Sequence, residues 1–168
     1  WIQDAYTSTN MYPYSEPYAR RMRGPNYIRN AVKVVTDAYT GAMTFYVSDP
    51  NDPLIRCYQE IFPNLFQPME RMPEGLRTHL RYPTDLFTIQ VSLNNIYHMT
   101  DPQVFYNQED VWSMPKEVYG ANDRPQVMSP YYVIMKFPDR AREEFVLMLP
   151  VTPANKDNMI AWIFARCD

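Results

Sequence analysis

The stretch NAVKVVTDAYTGAMTFYVSDPNDPLIRCYQEIFPNLF, residues 30–66, contains the pattern that decides the fold. Its first half follows the two-residue period of β-strands, and its second half spaces apolar residues as an amphipathic helix does. The change of period falls within a few residues of Asp52-Pro53. The stretch therefore predicts a β-hairpin followed directly by a helix, which is typical of a small α+β domain.

The hairpin is predicted from two short segments on either side of a turn. Residues 31–38 place Val32 and Val34 on one face of a strand, and residues 43–47 continue the same alternation. Between them, the sequence Tyr-Thr-Gly at positions 39–41 has the composition of a turn.

An aspartate followed by a proline marks the start of two predicted helices. Asp52 can accept hydrogen bonds from the first free N–H groups of a helix, and Pro53 suits the first helical position because its missing N–H is not needed there. Pro63 ends this helix. Asp101-Pro102 repeats the pattern before a short helix at 103–106. Further helices are predicted at 76–80 and 85–98.

The second half of the chain predicts another hairpin and a closing helix. Residues 131–137 and 144–149 are rich in strand-forming residues and are separated by a charged tip. Residues 156–166 carry Met159, Ile160, Ile163 and Phe164 at helical spacing after Thr152-Pro153, which predicts a C-terminal helix. Residues 116–130 are predicted to form a polar loop.

Together these elements predict an α+β fold in which one antiparallel sheet, built from the two hairpins, is covered by four or five helices. Residues 1–26 are rich in Tyr and Pro without a regular period, so we expect an extended or irregular arm there. Residues 27–168 are expected to form a single α+β domain, because this length suffices to bury one core.

Composition excludes several classes of function. The 168 residues carry a formal net charge of −3, so the chain lacks the basic character expected of a nucleic-acid-binding protein.

Cys57 and Cys167, the only cysteines, predict no disulfide framework, and one bridge or two free thiols both stay open. No apolar run reaches the roughly 20 residues that cross a bilayer, and the chain begins at Trp1 without a signal-peptide pattern, so we expect a soluble, excised fragment.

Sequence motifs for catalysis and cofactor binding are absent. The 4 glycines are isolated from one another, so no phosphate-binding loop and no nucleotide cofactor is predicted. Asp49, Asn51 and Glu60 fall at positions 1, 3 and 12 of a calcium loop, but Pro53 and Leu54 replace an oxygen ligand and the turn glycine. A strand end followed by a helix cap explains these residues better than a calcium site.

Two histidines are the only candidates for acid–base or metal chemistry. His98 lies at the end of the helix predicted at 85–98, with Asp101 three residues beyond it. His79 lies between Arg77 and Arg81, which together could bind an anion. In each case a structural role, as a helix end and cap or as a polar helix face, is the simpler interpretation. The arginine cluster formed by Arg20, Arg21 and Arg23 favours a solvated loop.

Several long segments resemble the uncharacterised protein family 0182. The resemblance is carried by WIQDAYTSTNMYPYSEP, by NYIRN and the stretch that follows it to residue 66, by LRTHLRYPTDLFTIQ, by YHMTDPQVFYNQEDVW and by FVLMLPVTPANKDNMIAWIFARCD. Members of that family are large bacterial multi-pass membrane proteins without an established reaction. The resemblance implies a cell-membrane location for the full-length protein and an extramembrane position for this segment, and it supplies no cofactor or site residue.

Two functional hypotheses follow from the sequence. The first is a non-enzymatic extramembrane domain that binds a ligand or a partner, including other regions of its own full-length polypeptide, and that faces the extracytoplasmic side, since long domains are translocated regardless of charge. The second is an enzyme or metal-dependent domain centred on His98 and Asp101 or on His79 and its arginines. A weaker resemblance links the hairpin VVTDAYTGAMTFYV to inhibitory or propeptide-like domains that bind a larger protein.

Overall fold

The computed structural model describes residues 1–18, 24–118 and 124–167. These residues form two compact units, Trp1–Leu86 (unit 1) and Phe87–Asp168 (unit 2). The arginine cluster at residues 20–23 and part of the predicted polar loop, residues 119–123, lie outside the described residues. Whether 1–26 and 27–168 fold as separate parts stays a prediction.

Unit 1 is built on a four-stranded sheet with the strand order β1-β2-β3-β4. The strands are β1 (Ile2–Thr9), β2 (Tyr27–Thr36), β3 (Met43–Val47) and β4 (Phe66–Pro68). Neighbouring strands are antiparallel except β3 and β4, which are parallel. The predicted first hairpin is confirmed as β2 and β3.

The turn between β2 and β3 is held by one side chain and one glycine. Asp37 Oδ1 accepts hydrogen bonds from the backbone N–H groups of Tyr39, at 2.9 Å, and Thr40, at 2.8 Å. Gly41 has φ of 72°, in the left-handed region that glycine adopts without steric cost. These donors also lower the pKa of Asp37.

The N-terminal segment is more regular than its sequence indicates. An extended conformation was among the expectations for it, but Ile2–Thr9 is a full strand that pairs with β2 from Ile2↔Val35 to Thr9↔Tyr27. It lies at the edge of the sheet, with β2 as its partner. Pairing with β2 thus supplies the order that its own sequence does not predict.

A β-bulge in β2 determines which side chains face the helix. Ala5 pairs with Val32 but Thr7 pairs with Arg29, so two residues of β2, Asn30 and Ala31, lie opposite one residue of β1. An extra residue reverses the alternation of side chains between the two faces of the sheet. Tyr27, beyond the bulge, consequently lies on the same face as Val32.

The helix predicted after Asp52-Pro53 is confirmed as α1 (Pro53–Ile61). Asp52 is its N-cap and accepts a hydrogen bond from the backbone N–H of Ile55, while the N–H of Phe62 closes the last turn on Tyr58 O. Ile55 packs on one face of the sheet and completes the core of unit 1, whose buried members are Ala31, Val32, Val47 and Ile55.

The remaining helices confirm their predictions with small shifts in bounds. They are α2 (Glu74–Arg77), preceded by a 3₁₀ turn at Met69–Arg71, α3 (Thr84–Tyr97) and α4 (Pro102–Asn107). The helix predicted at 76–80 is only four residues long and begins earlier. In the described part of the chain, no helix combines the length and the apolar character needed to cross a bilayer.

Unit 2 contains the second predicted hairpin within a larger sheet. Its strands are β5 (Trp112–Ser113), β6 (Lys116–Val118), β7 (Pro125–Val127), β8 (Tyr131–Met135), β9 (Glu144–Pro153) and β10 (Ala161–Arg166). β9 pairs antiparallel with β5, β8 and β10, whereas β6 and β7 form a separate two-stranded sheet. The predicted polar loop at 116–130 was wrong in its described part, since it contains these two short strands.

The predicted C-terminal helix at 156–166 was wrong, because β10 occupies this region. Its residues pair with β9 from Ala161↔Val151 to Arg166↔Val146. The five apolar residues at 161–165 fit either a helical or a strand period, and pairing with the edge of β9 makes this segment a strand. The α+β class is confirmed, but the two hairpins lie in different sheets instead of one.

Candidate functional site

The imidazole of His98 is held inside unit 2 by three neighbours. Its Nδ1 donates to Asn94 O at 2.9 Å, and its ring stacks on Trp112 with a centroid distance of 3.7 Å. Its Nε2 lies 3.6 Å from Asp110 Oδ2, within ion-pair range but too far for a hydrogen bond. Because the His98 side chain is only 15% exposed, its neighbours restrict access by a substrate.

Asp101 does not serve as the carboxylate partner of His98. Its Oδ1 accepts hydrogen bonds from Gln103 N at 2.8 Å and Val104 N at 3.1 Å, which confirms its predicted role as the cap of α4. The carboxylate that faces His98 belongs to Asp110, which lies beyond α4 in the sequence. No local motif singles out Asp110, because only the fold of the intervening segment brings it to His98.

Asp110 also lines a polar cavity of about 280 Å³ in unit 2. The cavity lies between the segments 108–111 and 153–156, together with Ile160. Glu109 and Lys156 place opposite charges on its wall. Among the described residues, no group of three or more His, Cys, Asp and Glu side chains is arranged to hold a metal ion.

His79 and the arginines beside it are exposed on unit 1. The Nδ1 of His79 donates to Gly75 O at 2.7 Å, since a carbonyl oxygen can only accept, and this bond ties the ring to its own helical turn. Arg77 and Arg81 lie on either side of it in sequence, also at exposed positions. The arrangement matches the polar-face interpretation, and neither cavity described here includes these residues.

An apolar groove lies between α1 and the sheet of unit 1, and we call it the unit 1 groove. Its volume is about 300 Å³. The sheet side is formed by residues 5–7 of β1 with Val32, Phe45 and Phe66. The helix side is formed by Ile55, Tyr58, Phe62 and Leu65.

The helix side of the unit 1 groove is apolar and open to solvent. Tyr58, Phe62 and Leu65 are 48%, 49% and 42% exposed, respectively. Of the residues of α1, only Ile55 is buried, although the apolar residues of this segment follow helical spacing. The apolar face of α1 is therefore wider than the part that the sheet covers.

A buried carboxylate, Asp52, lies next to Thr7, one of the residues that line the unit 1 groove. Asp52 Oδ1 accepts the hydroxyl hydrogen of Tyr27, and Oδ2 accepts the N–H of Ile55 at 2.8 Å. Burial raises the pKa of Asp52, but the hydrogen-bond donors Tyr27, Ile55, Thr7 and Leu54 outweigh it and the pKa is lowered overall. Burial, followed by the hydrogen bond to Asp52 and its negative charge, raises the pKa of Tyr27 to about 12.

Thr7 is the one polar side chain of β1 that both lines the unit 1 groove and is buried, at 7% exposure. Its hydroxyl is close enough to Asp52 to affect that carboxyl group. Thr7 Oγ1 itself is buried from solvent. The Thr7 hydroxyl thus belongs to the hydrogen-bonding environment of the Asp52 carboxylate.

Cys57 and Cys167 are not joined by a disulfide. Cys57 is an exposed free thiol on α1. Of the two alternatives that the sequence leaves open, the structure has no bridge.

The model of the uncharacterised protein family UPF0182 matches residues 1–168 of the chain. The chain belongs to this family. UPF0182 proteins of Sulfurovum sp. (strain NBC37-1), Pelotomaculum thermopropionicum and Microcystis aeruginosa are 58%, 55% and 55% identical to it, and each alignment covers 100% of the chain. The family predicted from the sequence is confirmed.

The UPF0182 relatives are much longer than this chain. The chain spans 18%, 18% and 17% of the three relatives, so it corresponds to less than a fifth of each. No solved structure matches the chain. Because the UPF0182 family is uncharacterised, membership assigns no reaction and no role to any residue named above.

Proposed function

We propose that this chain is an extramembrane docking module of a larger membrane protein, and that the unit 1 groove binds an apolar segment of the same polypeptide. The observation that carries the proposal is the groove itself, an apolar cleft bordered by half-exposed Tyr58, Phe62 and Leu65. Covering such apolar surface is favourable by about 25 cal/mol per Å². The groove therefore gains free energy when an apolar segment occupies it.

The size of the unit 1 groove favours an occupant tethered to the chain. A cleft of about 300 Å³ accepts one or two side chains, whereas a stable interface between separate proteins buries about 800 Å² on each partner. A tether raises the effective concentration of a weak ligand to roughly the millimolar range. The relatives are more than five times as long as the chain, so a full-length polypeptide contains many segments that could serve.

Photo-crosslinking in the full-length polypeptide tests this proposal. A benzophenone amino acid at position 62 replaces an aromatic side chain of the groove, and the same amino acid at position 39 serves as the control, since Tyr39 is fully exposed at the hairpin turn. We expect position 62, and not position 39, to form a cross-link to a second segment of the same chain, identified by mass spectrometry. Cross-links to other proteins only, or equal yields at both positions, would overturn the proposal.

The side of the membrane can be determined with the native thiol on α1. We propose that the module is extracytoplasmic, so Cys57, which is exposed, should react with a membrane-impermeant maleimide in intact spheroplasts. The Cys57→Ser variant of the full-length protein is the matched control for labelling of other cysteines. Labelling of Cys57 only after permeabilisation would place the module in the cytoplasm.

A further inference from the structure

We propose that strand β10 pairs antiparallel with β10 of a second copy of this chain, so that the unit 2 sheets of the two copies join edge to edge. The proposal does not depend on the unit 1 groove. It is carried by the backbone groups on the outer side of β10, by the aromatic side chains on its exposed face, and by a sequence that complements itself about a two-fold axis.

The outer side of β10 carries backbone groups that β9 does not use. Cys167 N–H donates to Phe145 O at 3.0 Å, and this bond sets the alternation along the pair, so the odd-numbered residues of β10 direct their N–H and C=O groups to β9. The even-numbered residues direct theirs outward. Consistently, Trp162 lies opposite Pro150, which has no N–H to donate. Among the described residues, no strand pairs with this outer side.

The edge that β10 forms lacks the usual protection against pairing. Natural edge strands carry a lysine, a proline or a bulge, which keep other strands away. The six residues of β10, AWIFAR, include neither lysine nor proline, and they pair with β9 without a shift in register. The one charged residue, Arg166, stands at the end of the strand. Such an edge can accept a further strand.

The exposed face of β10 is aromatic. Trp162 and Phe164 are both exposed, and their ring centroids lie 6.2 Å apart. Phe137 packs against Phe164 at 4.6 Å, so the three rings form one cluster. The solvent-facing side of an antiparallel sheet is ordinarily polar, and an exposed apolar patch is typical of an interaction surface.

A second copy of β10 suits both the edge and the aromatic face. In the two-fold register that pairs Phe164 with its own equivalent, the outward-directed backbone groups of the two strands form hydrogen bonds. Trp162 then lies opposite Arg166 of the second copy, and a guanidinium over an indole ring is a favourable pair. No like charges face each other. The register that pairs Trp162 with Phe164 instead leaves Arg166 opposite Ile160, beyond the end of the strand.

Cysteine cross-linking tests the pairing and its register. Phe164→Cys and Trp162→Cys are each introduced into the 168-residue chain with Cys57→Ser and Cys167→Ser, and both are oxidised. In the proposed register, the Cα atoms of the two copies of position 164 lie about 5.5 Å apart, within disulfide range, whereas those of position 162 lie about 14 Å apart. We expect Phe164→Cys to form a covalent dimer and Trp162→Cys to stay monomeric. Equal yields would overturn the proposal.

Sedimentation equilibrium measures association without a cross-link. Phe164→Lys removes the ring pair and sets two like charges opposite each other, so it should raise the dissociation constant of the dimer about tenfold or more. The matched control is Ile134→Lys, at an exposed apolar residue of β8, and should leave this constant unchanged. Circular dichroism verifies the fold of both variants. A monomeric wild-type chain, or equal effects of the two lysines, would refute the pairing.

The same two cysteine variants in the full-length polypeptide distinguish a second copy from a segment of the same polypeptide. A covalent dimer from Phe164→Cys and not from Trp162→Cys supports the proposal. If the cross-link forms only in the 168-residue chain, another part of the polypeptide covers the edge of β10, and the second copy is the wrong occupant.

Discussion

The hydroxyl group of Tyr27 donates a hydrogen bond to Oδ1 of Asp52, and this bond joins strand β2 to the first turn of helix α1. The β-bulge at Asn30 and Ala31 makes the bond possible, because it turns Tyr27 to the face of the sheet that α1 covers. Tyr12 stacks on Tyr27 at a centroid distance of 5.0 Å and Arg29 lies over the ring, which fixes its position. This junction fixes the start of α1 on the sheet of unit 1.

Replacing Tyr27 with phenylalanine should destabilise unit 1. The variant keeps the ring and removes one donor from a buried carboxylate, and a hydrogen bond to a charged group contributes about 1.5–3 kcal/mol. Urea unfolding followed by circular dichroism measures the effect. Tyr39→Phe, at a fully exposed ring, should leave the free energy of unfolding unchanged, and an equal loss in the two variants would show that the bond to Asp52 is not stabilising.

The same pair predicts how stability depends on pH. The pKa of Asp52 is lowered in the folded state, so its contribution is present above the ordinary value of 3.8 and is lost as the pH falls below it. Burial, and then the hydrogen bond to Asp52, raises the pKa of Tyr27 from 10.0 to about 12, so its contribution is present below pH 10 and is lost as the pH rises toward 12.

We therefore expect the stability difference between the wild-type chain and Tyr27→Phe to be largest on a plateau at intermediate pH. The difference should narrow on the acid side because Asp52 becomes protonated, and on the alkaline side because Tyr27 ionises whereas phenylalanine cannot. Urea unfolding of both proteins over this pH range measures it. A difference that stays constant across the range contradicts the assignment of these groups.

Two isoleucines of α1 should respond very differently to truncation. Ile55 is 1% exposed and packs in the core, so Ile55→Ala should cost about 2–5 kcal/mol through lost burial and the cavity left behind. Ile61, in the same helix, is 63% exposed, and Ile61→Ala should change the stability by less than about 0.5 kcal/mol. Similar costs at the two positions in urea unfolding would mean that α1 packs on the sheet through a different face.

Asp101 should behave as a helix cap and not as a partner of His98. Asp101→Ala removes the acceptor for Gln103 N and Val104 N, and should cost about 1 kcal/mol of stability. Asp101→Ser, which restores a capping oxygen, should recover most of that loss in thermal or urea unfolding. If the NMR signals of the His98 ring shift strongly in Asp101→Ser while stability is retained, Asp101 interacts with the imidazole after all.

Elements whose signals are local were predictable from the sequence. Asp52-Pro53 and Asp101-Pro102 specify their caps within a few residues, and both helices begin where predicted. The β2–β3 hairpin is likewise set by the turn that Asp37 and Gly41 form between its strands.

The failures concern elements that depend on distant partners. The sequence of residues 161–166 is compatible with a helix or a strand, and pairing with the edge of β9 makes it a strand. Likewise, β1 forms a regular strand because it pairs with β2. The residues of the candidate sites also depend on partners that are distant in the sequence. Asp110 reaches His98 only through the fold of the segment after α4, and Thr7 joins Asp52 only because β1 and α1 lie on one sheet.

We propose that the unit 1 groove is occupied in the full-length polypeptide. The most direct measurement is the rate at which a maleimide reacts with the thiol of Phe62→Cys, in a Cys57→Ser background, in the full-length protein and in the 168-residue chain. A tethered occupant should slow this reaction by about tenfold or more in the full-length protein. The control is the native Cys57 thiol in the proteins without these substitutions, because Cys57 is exposed on the same helix and lies outside the groove lining. Cys57 should react at similar rates in the full-length protein and in the 168-residue chain. Equal rates for Phe62→Cys in the two proteins would contradict the claim.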